Sequence, residues 1–206
     1  IIPKGINLEK NGIVIKNGKL VKGVLNKSIL GASKSNNLIE NIWDRYNEDT
    51  VVDFLNNVQR LINNFNFLNG FSVGMKDLVL KDNIIQAINK LKIKANLEVN
   101  HLITQMENNP NLLDNDFFEQ DIIFKLNNCK TSSQELIINS IKQNNNFRIM
   151  EQSGSKGDAL NMLQMTGLLG TQLLEGSRIK HKLNNRTLSY FFKDDSRAEA
   201  GGFIQN

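Results

Sequence analysis

Two long apolar stripes, adjacent in the chain, constrain this sequence more than any other feature. Between residues 83 and 107, Ile84, Ile88, Leu91, Ala95, Val99, Leu102 and Met106 recur every three or four positions. That spacing lines up apolar side chains on one face of an α-helix. Asp82 or Asn83 is placed to cap the start, and Pro110 forbids continuation. A second stripe runs through Phe118, Ile122, Leu126, Cys129, Ser133 and Leu136. Joined by Asn108–Asp114, the two predict an antiparallel helical hairpin over residues 83–142. Ser132-x-x-Glu135 has capping-box form and offers an alternative break at Ser132. The stripe keeps phase across that point, so a single helix is expected.

The chain before the hairpin reads differently. Ile13–Lys16 and Leu20–Leu25 flank Asn17-Gly18, whose residues tolerate the positive φ angles of a type I′ turn, so a β-hairpin is predicted. Gly31-Ala32-Ser33-Lys34-Ser35 reads as a flexible link. Leu38, Ile39, Ile42, Trp43 and Tyr46 fit one face of a short helix, with Trp43 in the core. Val51, Phe54, Leu55, Val58, Leu61, Ile62, Phe65 and Leu68 fit a longer helix, ended at Asn69-Gly70 by a left-handed glycine cap. Phe71–Met75 reads as strand or turn, and a subdomain boundary falls near residue 76. After the hairpin comes a tight basic turn, Ser153-Gly154-Ser155-Lys156-Gly157. Asp158 can then cap a helix over Ala159–Leu169, with Leu160, Leu163, Met165, Leu168 and Leu169 as its apolar residues. Glu175-Gly176-Ser177-Arg178 and the tail read as loop and short strand, with Thr187–Phe191 the best strand candidate. No internal repeats occur. The fold class is therefore α+β and mainly helical: a small strand-containing subdomain over 1–76, then 77–206 with the hairpin and a short helix/strand tail.

Composition narrows the chemistry. The chain has 206 residues, 40% of them hydrophobic and 22% charged, as globular proteins do. No run of about 18 apolar residues exists, so no spanning helix is expected. One cysteine, Cys129, makes no internal disulfide, which points to a reducing compartment. His101 and His181 have no partner at zinc-ligand spacing. The net charge of +4 and pI near 9.1 are only mildly basic. Asparagine runs such as Asn144-Asn145-Asn146 read as the composition of an AT-rich genome. The first residues carry no initiator Met and no basic-then-apolar leader, so the chain reads as part of a longer protein or a processed product.

Few residues suggest chemistry. Ser155-Lys156-Gly157 lacks the spacing of a nucleotide-binding P-loop. A lysine on a Gly-rich turn before a helix N-terminus still favours anions. The plainer reading is a turn that needs glycine, with its lysine in water. Asp194-Asp195 and Asp114/Asp116 fall short of a cation's ligand count, and read as solvated loop acids. His181, between Lys180 and Lys182, reads as part of a solvated basic loop. His101 lies one position off the apolar stripe and reads as surface, whereas Cys129 lies on the stripe and reads as core. No Ser/His/Asp set is identifiable.

Taken in order, the short motifs resemble one family. Ser153-Gly154-Ser155-Lys156-Gly157, Asn161, Gln164-Met165, Gly170, Gln172, Glu175-Gly176 and Arg178 are similar to the funnel region of the largest subunit of multisubunit DNA-directed RNA polymerases. The pattern continues through Arg186-Thr187-Leu188, Phe191, Asp194-Asp195, Glu199-Ala200 and Gly202-Phe203. Upstream, Pro3-Lys4-Gly5, Asn17-Gly18, Gly31-Ala32-Ser33, Gln59-Arg60 and Asn69-Gly70-Phe71-Ser72-Val73-Gly74 resemble the preceding pore region. Each motif is short, but their order and spacing fit across nearly the whole chain.

The resemblance implies a pore-like subdomain over 1–76 and a funnel-like one over 77–206. It implies a place on the wall of the secondary channel, through which nucleoside triphosphates and a transcript cleavage factor reach the active centre. Lys156, Asn161, Gln164, Gln172, Glu175 and Arg178 would line that channel, with Lys156 attracting the triphosphate. No catalytic residue, metal ligand or cofactor is expected here. The family's aspartate motif is absent, its magnesium is bound elsewhere in the parent enzyme, and the segment by itself is expected to make no RNA. The implied partners are the other polymerase subunits, especially the second-largest, and DNA and RNA through the parent complex, with no membrane. The implied location is the nucleus for a cellular enzyme, and the cytoplasm or virion for a large DNA virus. Thr171, Leu173-Leu174, Asp158 and Ser189-Tyr190 depart from the nuclear messenger-RNA enzyme, which suggests a divergent polymerase of a large DNA virus or an AT-rich protist. An independent helical interaction module, with stripes that are only core, is the alternative.

Overall fold

The computed structural model describes residues 1–31, 35–108, 115–182 and 184–205. The chain divides into two compact units. One comprises Ile1–Gly74 with Gln143–Asp158, the other Met75–Lys142 with Ala159–Asn206. The architecture is mainly helical α+β, as the periodicities predict.

The first unit opens with a three-stranded antiparallel sheet, β1 (Leu8–Lys10), β2 (Ile13–Lys16) and β3 (Lys19–Lys22). Asn17 and Gly18 take φ of 49° and 72°, the positive pair a type I′ turn requires. The turn also presses on the N-terminal segment: a Cβ on Gly18 would lie 2.5 Å from the Pro3 carbonyl oxygen. Asn11-Gly12 makes a second such turn between β1 and β2, with φ of 51° and 77°. β3 is exposed along its length and stops at Lys22, short of the Leu20–Leu25 strand expected.

Three helices follow: α1 (Lys27–Leu30), α2 (Leu38–Arg45) and α3 (Glu48–Asn69). Each begins at an asparagine. Asn26, Asn37 and Asn47 accept a backbone N–H through their side chains, which supplies partners to otherwise orphaned helix donors. At Asn37 the arrangement is reciprocal, since the Asn37 N–H also donates to the Glu40 carboxylate at 3.2 Å. Ile6, Leu8, Ile13, Ile15, Ile29, Leu38, Ile42, Val51 and Phe54 form one buried cluster.

The apolar readings of α2 and α3 need correction. Trp43 is 55% exposed and is not core. Tyr46 is also largely exposed, its hydroxyl donating to the Lys4 carbonyl. On α3 only Val51 and Phe54 are buried, whereas Leu55, Leu61, Ile62, Phe65 and Leu68 face outward. The cluster reaches only the first turns of this 22-residue helix, so its later apolar residues find nothing within the unit to cover them. The helix ends at Asn69, and Gly70 adopts φ 67°, ψ 170°. That is a positive-φ exit with extended ψ, not the left-handed cap expected. Phe71–Gly74 is irregular and forms no strand. The link expected over Gly31–Ser35 lies partly outside the described residues.

In the second unit, the short α4 (Met75–Leu78) leads to α5 (Asp82–Asn108) and α6 (Asn115–Ser140). α6 is one helix, unbroken at Ser132. Ile88, Ala95, Val99 and Ile103 of α5 are buried, as are Phe118, Ile122, Leu126, Cys129, Ser133 and Ile137 of α6. The helices run antiparallel. Residues 91–98 share a groove with 125–132, and residues 103–107 share a cleft with 116–123. Glu98 on α5 reaches Lys125 on α6 at 3.5 Å. His101 is exposed and Cys129 buried, both as expected. The connection assigned to Asn108–Asp114, Pro110 included, lies mostly outside the described residues.

Helix α7 (Asn146–Ser153) belongs to the first unit and was not foreseen, because it is short and lies next to an asparagine run. Asn145, in that run, caps it. α8 (Ala159–Thr166) returns to the second unit and packs on α6. It ends earlier than Leu169, where Gly167 and Leu168 both donate to the Leu163 carbonyl. Gly170–Thr171 (β4) pairs antiparallel with Phe203–Ile204 (β5), bringing the tail back onto the hairpin. Thr187–Phe191 forms no strand. Asn184, Asn185 and Asp194 around it adopt positive φ, and the segment closes into turns through Phe191 N–H to Leu188 carbonyl at 3.1 Å. A strand needs an extended partner, and the segment finds none among the described residues.

Burial predicts unequal responses along the two helix faces. Ile122→Ala, at a side chain with no exposure, is expected to cost about 2–4 kcal/mol. Leu68→Ser, at a residue 80% exposed, is expected to change stability by less than about 0.5 kcal/mol. Urea denaturation of the two variants checks both.

Candidate functional site

The lysine-bearing turn is built by the C-terminus of α7. Gly154 takes the left-handed conformation, φ 77° and ψ 14°, and its N–H donates to the Glu151 carbonyl at 3.0 Å. The hydroxyls of Ser153 and Ser155 both reach the Met150 carbonyl, at 3.0 and 3.1 Å. These bonds occupy carbonyls that the helix end leaves free. Gly157 also has positive φ. Lys156 stands between the two glycines, exposed, and no described residue bonds its amine. At the other end of α7, the Asn146 side-chain amide donates to the Ser72 carbonyl at 2.7 Å. The turn thus belongs with the N-terminal strands and helices, although 74 residues separate even Asn146 and Ser72 in sequence.

The other residues singled out lie in the second unit. Asn161 and Gln164 sit on α8, both half-buried. Gln172 follows β4, its side chain exposed and its N–H donating to the Gly202 carbonyl at 2.8 Å. Glu175 occupies the tip of a tight reversal closed by Leu174 and Ser177, with φ of 52° at Glu175 and 79° at Gly176.

Arg178 is committed to a partner. Its guanidinium makes a two-point ion pair with Glu119 of α6, Nε to Oε2 at 2.8 Å and Nη2 to Oε1 at 2.7 Å. The arginine side chain is only 10% exposed. Gly201 leaves the space it needs, since a Cβ there would lie 2.7 Å from Nη1. This fork geometry suits carboxylate recognition and draws the tail onto the hairpin. Glu119 carried no sequence signal, because the pairing spans 59 residues.

A cleft of about 420 Å³ lies beside this pair, lined among others by Ile103, Glu107, Glu119, Arg178, His181 and Asp195. His181 is exposed, its Nε2 3.0 Å from the Asp195 carbonyl oxygen. Asp195 accepts two bonds from the Arg197 guanidinium, at 3.0 and 2.7 Å. The Arg197 side chain holds the Asp195 carboxyl below its usual range. Burial pushes the Cys129 thiol up, against the Ser133 hydroxyl and the Lys92 charge that oppose it. Among the described residues no group of three or more His, Cys, Asp or Glu could hold a metal ion. Asp114 lies outside them. No helix among them is long and apolar enough to cross a membrane.

The two cations are thus held differently, one exposed on a glycine-bounded turn and the other locked inside a helical scaffold. Comparison with known proteins identifies the scaffold. Residues 1–78 match the family model for RNA polymerase Rpb1, domain 3, and residues 97–204 that for RNA polymerase Rpb1, domain 4. The chain belongs to the family of the largest subunits of DNA-directed RNA polymerases. It is 31% identical over 212 residues to DNA-directed RNA polymerase subunit 1 of Acanthamoeba polyphaga mimivirus, a match covering all of this chain and 14% of that relative. It is 32% identical over 190 residues to the DNA-directed RNA polymerase II subunits RPB1-A and RPB1-B of Trypanosoma brucei brucei, over 89% of this chain and 11% of each relative. The chain thus spans a small part of the length of the curated relatives it matches.

The ion pairs predict distinct responses. Glu119→Gln leaves a nearly buried guanidinium without its counter-charge and is expected to cost about 1–3 kcal/mol in urea denaturation. Asp195 behaves differently because Arg197 is well exposed, and Asp195→Asn is expected to cost less than about 1 kcal/mol at pH 7. A carboxyl with a depressed folded pKa stabilises above its unfolded value, near 3.9, and that contribution is lost as pH falls through the folded value. The difference between Asp195→Asn and the parent is therefore expected to close below about pH 4, as measured by thermal unfolding across pH.

Proposed function

We propose that this chain forms wall of the secondary channel in a DNA-directed RNA polymerase, with residues 1–76 as its pore-like and 77–206 as its funnel-like part. The observation that carries the reading is the pair of family matches, domain 3 then domain 4, in order across residues 1–78 and 97–204. In this reading nucleotidyl transfer belongs to the parent enzyme. The described residues offer no ligand set for its magnesium, which other parts of that enzyme bind. What this chain adds is shape and charge. Lys156, exposed and without a bonded partner among the described residues, draws the triphosphate electrostatically. Asn161, Gln164, Gln172 and Glu175 supply polar groups on the second unit. Arg178 supports the wall from behind through Glu119.

Partners follow from the same reading. The uncovered apolar residues of α3, among them Leu61, Phe65 and Leu68, suit burial against further protein, such as the second-largest subunit or other segments of the polymerase. A transcript cleavage factor entering the channel would meet the hairpin rim, and DNA and RNA would be met only through the assembled enzyme. The mimivirus and trypanosome relatives support a virion or cytoplasmic setting for a viral enzyme and the nucleus for a cellular one.

Lys156 provides the test. A hydrogen bond to a charged group contributes about 1.5–3 kcal/mol, so Lys156→Ala in the assembled polymerase is expected to raise the apparent KM for nucleoside triphosphates by about tenfold to a hundredfold or to slow factor-stimulated transcript cleavage comparably. Steady-state elongation and cleavage assays read both. Unchanged values in both overturn the role of Lys156.

A further inference from the structure

We propose that Lys27 is a positioning residue for the turn that carries Lys156, acting through its hydrocarbon stem and not through its charge. This rests on the reading of Lys156 as the group that draws the triphosphate.

Two glycines hold the Lys27 side chain. A Cβ on Gly154 would lie 2.9 Å from Lys27 Cδ, 3.1 Å from Cγ and 3.2 Å from Cβ. A Cβ on Gly31 would run into the Lys27 carbonyl oxygen and lie 3.3 Å from its Cγ. The stem is therefore seated against the αL residue that starts the turn. Long cationic side chains commonly lay their methylenes on the protein surface and keep the ammonium in water. Lys27 fits that pattern, since it is exposed overall and its amine has no partner among the described residues.

The contact matters because it reaches the C-terminal end of α7, where the turn begins. α7 is only eight residues long, too short to hold itself by helix propensity. Phe147 is buried, and Asn146 bonds the Ser72 carbonyl at the N-terminal end. At the C-terminal end, Lys27 comes from α1, whose cap at Asn26 is built by side-chain bonds to the Ser28 N–H and hydroxyl at 3.0 and 2.6 Å. The capped α1 thus sets the backbone from which the Lys27 stem reaches Gly154.

The experiment compares Lys27→Ala, Lys27→Met, Lys156→Ala and the double variant Lys27→Ala/Lys156→Ala in the assembled polymerase. Methionine keeps the length of the stem and removes the charge. Two readouts are taken: the apparent KM and kcat for nucleoside triphosphates, and amide hydrogen exchange of residues 153–157. Lys27→Ala is expected to raise KM about threefold to tenfold, with a smaller effect on kcat, and to speed exchange in the turn by about threefold or more. Lys27→Met is expected to restore both. The double variant is expected to be no worse than Lys156→Ala, because one residue acts through the other. If Lys27→Met is as impaired as Lys27→Ala, the charge acts and the positioning role is overturned. Unchanged exchange in Lys27→Ala overturns it equally. If Lys156→Ala leaves KM unmoved here and cleavage unmoved in the factor-stimulated assay, the channel reading of Lys156 fails, while the exchange data still decide whether the stem holds the turn.

Discussion

The apolar seam between α5 and α6 is the contact on which the second unit depends. Val99, Ile122, Leu126 and Ile137 are without exposure, and each aliphatic side chain so buried is worth about 1.5–3 kcal/mol relative to an exposed one. Two further elements of the unit are placed directly against α6. α8 and β4 pack on α6, and the tail returns through β5. Arg178 adds direction where apolar contact has none. Its planar fork meets the Glu119 carboxylate at two points, which sets where the irregular tail crosses the hairpin.

The first unit is held by a different economy of interactions. Its helices are mostly short, and its strands are three and four residues long. Asparagine does much of the local work there. Asn26, Asn37, Asn47 and Asn145 cap helices, while Asn11 and Asn17 take the positive φ of tight turns. The short amide side chain can bond nearby backbone and tolerates the left-handed region. An asparagine-rich composition, whatever its genomic origin, is thus put to structural use at the ends of elements.

The lysine-bearing turn and the arginine clamp put a cation to two different structural uses. Lys156 is presented to solvent by a helix end whose Met150 carbonyl accepts from both Ser153 and Ser155. Arg178 is withdrawn from solvent and used as a strut. A sequence motif holding both cations does not distinguish these roles, because the difference lies in whether a carboxylate distant in the chain is brought alongside.

Periodicity alone determined both long helices, their single-helix continuity through Ser132 and the burial of Cys129, since a 3.6-residue repeat is a local property that any apolar partner will satisfy. The Asn17-Gly18 hairpin was equally legible, as its φ angles are a property of those two residues. Tertiary structure decided the rest. Trp43 and the later apolar residues of α3 lie outward because the buried cluster of their own unit does not extend to them among the described residues. Thr187–Phe191 is turn because it has no strand to pair with. The Lys156 turn joins the unit of the N-terminal strands and helices, with Asn146 bonding Ser72 across 74 residues, and Glu119 finds Arg178 across 59 residues. Such pairings depend on where the chain returns in space, which no local pattern of side chains encodes.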